Sequence, residues 1–290
     1  MWLSTSGGRM LNQGNQDLSR VEQLIQTKQV HKAFFRLVQL SNQYSKDEKF
    51  LRMLSSVQGQ LSDFISREKT LKALMDVNSS AVNVIDYSLQ LIKNGKLQLA
   101  EAFLTALNFS ELSDDLRAIC AESLVSIYVQ QNNFSGLEKQ IHLMEEYQMF
   151  NEMFHYGQAI LELHFGLEES AIQSLRKAVG LRDHFEQAWV ALGLLHEKRG
   201  DFELAQANFE KALDFNPLNS VALKFLAQAH IRTGQFERSV DKVSFYLESY
   251  SFDEEMTKNY IQLLEMAQKN DVAQREAEKM FYFSGKNLIA

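Results

Sequence analysis

Proline and cysteine are nearly absent from this sequence, and each absence excludes a class of structure. Pro217 is the only proline among 290 residues and the 13 glycines are few, which favours an all-helical chain over a turn-rich barrel or sandwich. Cys120 is the only cysteine, so neither an internal disulfide nor a cysteine-based zinc site can form. This cysteine usage is typical of a reducing compartment.

Long apolar runs and a basic surface are missing as well. No stretch approaches the roughly 18 apolar residues of a membrane span, and residues 1–15 contain no secretory apolar core. The net charge is −7, and no basic stripe carries interleaved aromatic residues, which disfavours nucleic acid as a partner. We therefore expect a cytoplasmic protein that does not insert into membranes.

Residues 186–219 carry the clearest local pattern, which predicts two helices joined by a turn. Gly200 supplies a left-handed residue that ends the first helix, Asp201 can cap the second, and Pro217 follows the second helix where it must stop. Two sets of residues recur at helical spacing: Trp189, Leu192, Gly193 and His196 before the turn, and Ala205, Phe209 and Ala212 after it.

The same pattern returns every 34 residues. Two positions keep this interval over three units: Gly166, Gly200 and Gly234 at the turn, and Ala171, Ala205 and Ser239 on the second helix. This period and residue order resemble the tetratricopeptide repeat. Further turns are predicted at Lys28, Gly59, Gly95 and Asn132, where asparagine replaces glycine in the left-handed position.

The resemblance implies an all-α fold, a right-handed α-solenoid of about seven helix-turn-helix repeats. We predict four segments in chain order: a flexible segment over residues 1–15, degenerate repeats over 16–110, regular repeats over 111–253, and a capping helix pair over 254–290. Trp189, His196 and His230 are interpreted as packing residues, the two histidines because they lie 34 residues apart at a position that is usually aromatic in the family.

The family also implies where a partner binds, because certain positions of each first helix line a concave groove. Carried onto this chain, those positions are Glu122, Ser126, Met153, Tyr156, Ile160, Leu163, Gln187, Val190, Leu194, Lys224 and Gln228. The lysine and asparagine that grip a chaperone's terminal carboxylate in some members are replaced here by residues such as Tyr156 and Val190. The groove is therefore expected to bind an apolar peptide or an amphipathic helix. Alternatively, the chain's own termini, for example residues 280–283, cover it.

These observations predict a non-enzymatic scaffold or adaptor that binds protein or peptide partners. The alternatives are a chaperone for a secreted or assembly subunit, and the repeat portion of a larger signalling regulator. No catalytic residue, metal site or cofactor is predicted, since the histidines form no metal-binding pattern and no phosphate-cradling loop or nucleophile elbow is present.

Overall fold

A computed structural model describes the backbone of residues 6–250 and 252–286, and the side chains of residues 16–250 and 252–283. Within these residues the chain forms sixteen α-helices, a short 3₁₀ turn at Phe109–Glu111 and no β-strand. The helices are α1 Ser6–Gln26, α2 Val30–Tyr44, α3 Glu48–Gln60, α4 Phe64–Val77, α5 Ala81–Lys93, α6 Leu97–Thr105, α7 Asp114–Gln130, α8 Phe134–Glu146, α9 Glu152–His164, α10 Glu168–Leu181, α11 Glu186–Arg199, α12 Phe202–Phe215, α13 Ser220–Thr233, α14 Glu237–Ser249, α15 Glu254–Met266 and α16 Asn270–Lys286.

The helices group into two compact units, one that ends at Asn133 and contains α1 to α7, and one that begins at Phe134 and contains α8 to α16. Most consecutive helices within each unit pack on each other. First helices of successive pairs also touch, α5 with α7 and α11 with α13, whereas no comparable contact joins α12 to α14 among the described residues. Each unit is thus a stack of helix pairs, which confirms the all-α solenoid class.

Eight turns between paired helices share one backbone geometry. At each turn a residue with φ between 53° and 81° is followed by a residue whose N–H donates to the carbonyl five positions earlier, at 2.8–3.0 Å. This is the Schellman ending of a helix, which satisfies a free carbonyl of the last turn. The left-handed residues are Lys28, Ser62, Gly95, Asn132, Gly166, Gly200, Gly234 and Gln268. The repeat therefore continues where glycine does not, giving eight helix-turn-helix repeats against the predicted seven or so.

Two local predictions differ from the structure. The turn predicted at Gly59 is wrong, because Gly59 lies inside α3 and the left-handed residue is Ser62. No glycine marks this turn, and the nearest glycine in the sequence gave a misleading signal. Helix α1 begins at Ser6, so it overlaps most of the segment predicted to be flexible. Residues 1–5 of that segment lie outside the described residues.

Several helix pairs are fastened by the same polar contact. The first residue of the first helix is a glutamate that accepts from the residue 30 positions later, which ends the second helix. Three such pairs are Asn78 with Glu48 at 3.0 Å, Arg182 with Glu152 at 2.9 Å, and Asn216 with Glu186 at 3.0 Å. Each contact joins the open ends of one hairpin and so fixes the angle between its two helices.

The core of the second unit follows the predicted pattern of small and large residues. Ala205 and Ala212 are fully buried, as is Phe209, whose ring stacks on that of Phe225 with centroids 5.4 Å apart. The packing role predicted for the histidines is confirmed, since His196 is 5% and His230 1% exposed. None of the helices in the described residues combines the length and apolarity required to cross a bilayer.

Candidate functional site

Nine of the predicted groove residues lie on the first helices α9, α11 and α13 of the second unit. We call this set the α9–α13 face: Met153, Tyr156, Ile160, Leu163, Gln187, Val190, Leu194, Lys224 and Gln228. Gln187 and Leu194 are exposed and the other seven are half-buried. The remaining two predicted residues, Glu122 and Ser126, lie half-buried on α7 of the first unit and are described apart from this face.

The α9 part of the face packs into the protein's own core. The Tyr156 ring lies 5.0 Å from that of Phe185, which is 1% exposed, and burial raises the pKa of the Tyr156 hydroxyl. Met153 and Leu163 contact the same buried cluster. These side chains form a floor beneath the face, so their truncation would disturb the fold together with any binding.

Exposed apolar surface begins further along, on α11 and α13. Leu194 is 36% and Val221 41% exposed, and Val221 borders a cavity of about 210 Å³ between α13 and α15. Phe225 and Met256 give this cavity an apolar wall, and a Lys224–Glu255 ion pair lies at its border. Residues of two neighbouring first helices therefore enclose a pocket beside exposed apolar groups.

One polar group in this cavity lacks a partner. The side-chain amide nitrogen of Asn259 is buried and makes no hydrogen bond within the described part of the chain. A buried amide donor without an acceptor is unfavourable, and a carbonyl oxygen supplied by a ligand would satisfy it. The cavity can thus receive an apolar side chain and donate one hydrogen bond to the chain that carries it.

Comparison with known proteins identifies the architecture. The fold is similar to a chain in the crystal structure of the APC/C hetero-tetramer Cut9–Hcn1, with a TM-score of 0.63 and 9% identity over 84% of this chain and 48% of that one. A family model described as tetratricopeptide repeat matches residues 186–219, the stretch with the clearest pattern in the sequence. The chain belongs to the tetratricopeptide repeat superfamily.

Two curated relatives match parts of this tetratricopeptide repeat protein. Anaphase-promoting complex subunit 3 of Schizosaccharomyces pombe is 29% identical over 86 residues, 30% of this chain and 12% of that protein. Peptidyl-prolyl cis-trans isomerase FKBP4 of Mus musculus is 30% identical over 112 residues, 39% of this chain and 23% of that protein. The chain spans less than a quarter of the length of either relative.

The reactive side chains of this repeat protein are engaged in packing. Cys120 is fully buried, and burial raises the pKa of its thiol to about 11, which disfavours the nucleophilic thiolate. The Nδ1 atom of His230 lies 2.7 Å from the hydroxyl oxygen of Ser239, and burial lowers the pKa of this imidazole. Among the described residues, no group of three or more histidine, cysteine or acidic side chains could hold a metal ion.

Sequence reasoning missed Phe225, Met256 and Asn259. The family frame directs attention to fixed positions of the first helices and was applied only as far as α13, whereas this cavity also uses α15. Asn259 stands 34 residues after Phe225, so one repeat position supplies an aromatic wall in one helix and a polar amide in the next. That offset was the one signal in the sequence that could have identified it.

Proposed function

We propose that this protein is a non-enzymatic scaffold that binds an apolar peptide segment or an amphipathic helix of a partner protein through the α9–α13 face. Its superfamily consists of protein-interaction scaffolds, and the finer assignment rests on the exposed apolar groups beside the α13–α15 cavity. Leu194 and Val221 present apolar surface, and the cavity offers an apolar wall together with the unpaired Asn259 amide.

The chemistry of this surface matches that of a peptide rather than a small polar substrate. An extended or helical segment offers apolar side chains at regular spacing together with backbone carbonyls, so one side chain can enter the cavity while a carbonyl accepts from Asn259. The Lys224–Glu255 ion pair at the cavity border is charged, which suits a binding site with an apolar centre and a polar rim.

The test compares three variants that each place a carboxylate on exposed apolar surface. Leu194→Asp and Val221→Asp alter the proposed site on the first helices, and Leu204→Asp is the matched control on α12, where Leu204 is 49% exposed. Partners captured from the native source by each protein are quantified by mass spectrometry. All three variants are expected to keep wild-type helicity by circular dichroism.

We expect a set of partners that wild type and Leu204→Asp capture equally and that Leu194→Asp and Val221→Asp lose at least tenfold, because a buried unpaired carboxylate opposes binding. Partners retained by all three variants would place binding elsewhere. Partners lost equally from all three would point to a general effect of added charge, and would contradict the assignment to this face.

A further inference from the structure

The first unit contains a side chain that breaks the packing rule of the repeat. At the fifth residue after the left-handed turn residue, six of the eight turns carry alanine or serine with at most 3% exposure. These residues are Ala33, Ala100, Ala171, Ala205, Ser239 and Ala273. Leu137 occupies the position in a seventh turn and is fully buried. In the eighth turn, after Ser62, the position is held by Arg67, which is half-buried.

The surrounding chain accommodates this arginine. Gly59 on α3 faces it, and a Cβ atom at Gly59 would lie 3.2 Å from the Arg67 Nε atom. The Nη1 atom donates to the side-chain oxygen of Gln90 at 3.0 Å, whereas Nε is buried and makes no hydrogen bond within the described residues. One donor of the guanidinium is therefore held in place without an acceptor, which is unfavourable unless a ligand supplies one.

Arg67 lines a cavity of about 420 Å³ formed by α3, α4 and α5 of the first unit. This volume lies within the range of ligand-binding pockets. Arg52 and Asp86 are also in its wall, and Leu71 and Leu74, which are 2% and 1% exposed, contribute apolar surface. The cavity thus combines two guanidinium groups, one carboxylate and an apolar patch.

Asp86 is half-buried and has no hydrogen bond or ion pair in the part of the chain that the structure describes. Burial raises the pKa of its carboxyl group, and the positive charges of Arg52 and Arg67 oppose this shift. Arg52 itself is engaged by Glu48 at 2.8 Å. The cavity therefore presents a free acceptor, Asp86, and a free donor, the Arg67 Nε atom, which do not satisfy each other.

This combination restricts the ligand. A carboxylate would be repelled by Asp86, and an ammonium or guanidinium group would be repelled by the two arginines. A primary carboxamide is neutral and carries both an N–H donor and a carbonyl acceptor. We propose that this cavity binds the side-chain carboxamide of a glutamine in a partner protein, with its NH₂ group donating to Asp86 and its carbonyl accepting from Arg67. The methylene groups of the glutamine would contact Leu71 and Leu74.

The site is tested with a small probe, N-acetylglutamine N-methylamide, titrated into the full-length protein and followed by ¹H–¹⁵N TROSY spectra. Two analogues of similar length serve as controls: N-acetylglutamate N-methylamide, which is charged, and N-acetylmethionine N-methylamide, which lacks the carboxamide. We expect saturable shifts of α3, α4 and α5 amides with the glutamine probe, and binding at least tenfold weaker with both analogues. Equal or tighter binding of the glutamate or methionine analogue would overturn the assignment, as would the absence of any saturable shift with the glutamine probe.

Two substitutions assign the contacts. Arg67→Ala introduces the residue that most other turns carry at this position, so we expect it to fold, and Asp86→Ala removes the free acceptor. Each should weaken binding of the glutamine probe about tenfold or more, because each removes a hydrogen bond to a charged group. Asp214→Ala on α12, with the same change in charge as Asp86→Ala, should leave binding unchanged. Unchanged binding in Arg67→Ala and Asp86→Ala, with both spectra native-like, would refute the proposal.

Discussion

Replacement of Gly193 by alanine tests whether the close approach of α11 and α12 holds the second unit together. A Cβ atom at Gly193 would lie 2.5 Å from Cε1 and 2.7 Å from Cδ1 of Phe209. Carbon atoms in contact are normally about 3.5–4.0 Å apart. The Phe209 ring is fully buried and stacks on Phe225, so it cannot yield without displacing a second aromatic ring.

Two opposing effects set the size of the change. Alanine is favoured over glycine within a helix by about 1 kcal/mol. Overpacking of a well-packed core costs about 1–3 kcal/mol. Because the deficit here is about 1 Å against an immobilised ring, the upper part of that range applies, and Gly193→Ala should destabilise the protein by a net amount of about 2 kcal/mol. A Cβ atom added at Gly180 on α10 would meet nothing within 4 Å, so Gly180→Ala should be neutral or stabilising by up to about 1 kcal/mol.

Urea unfolding followed by Trp189 fluorescence measures this difference locally, because Trp189 contacts both core clusters of the second unit. A Trp2→Phe background removes the only other tryptophan. A second test places Gly193→Ala in a Phe209→Leu background, where the clash is absent and alanine should no longer destabilise. The reasoning is refuted if Gly193→Ala stabilises the protein as much as Gly180→Ala does, or if its effect is the same with and without the Phe209 ring.

Three further outcomes follow from the structure. Ser62→Gly should stabilise the first unit by about 0.5–1 kcal/mol, measured by urea unfolding, since it relieves a left-handed non-glycine residue at an exposed turn; an unchanged midpoint would contradict this. Burial lowers the pKa of His230 in the folded protein, so its contribution to stability is present above the unfolded pKa of about 6.5 and is lost as the pH falls below it. His230→Gln should therefore flatten the loss of thermal stability between about pH 6.5 and 5, and an unaltered slope would exclude this residue as its source. Trp189→Ala should cost about 2–3 kcal/mol by circular dichroism, below the ~3–5 kcal/mol of a fully buried aromatic residue, because Trp189 is half-buried; a change below about 0.5 kcal/mol would contradict its packing role.

The turns show how far the fold could be predicted from the sequence. Gly95, Gly166, Gly200 and Gly234 all have positive φ as predicted, and so does Asn132. The same geometry at the turns held by lysine, serine and glutamine was harder to identify, because a residue that only tolerates the left-handed conformation leaves no compositional mark. There the helix pairs on either side impose the turn. Consequently the 34-residue period is regular in the middle of the chain and drifts before it.

The candidate site was less accessible to sequence reasoning. Family positions correctly selected one helix of each pair, but exposure along that helix depends on what the neighbouring helix supplies. Tyr156 was expected to face a partner and instead contacts Phe185, whereas Asn259 was not considered and borders the α13–α15 cavity. Which of two equivalent positions stays open is set by the size of side chains one repeat away, and a frame with fixed positions does not contain that information.

The same comparison indicates where chemistry resides in a repeat protein of this kind. Residues that agree among units, such as the turn glycines and the buried alanines, are explained by backbone geometry and close packing, and thus report only on the fold. Residues that differ at equivalent positions are not required by the stack. Arg67 stands where six turns have a small residue, and Asn259 stands where the preceding unit has Phe225. Both place an unsatisfied hydrogen-bond donor in a cavity. An unsatisfied donor opposes folding, so the departures from the repeat are the positions at which a ligand has something to gain.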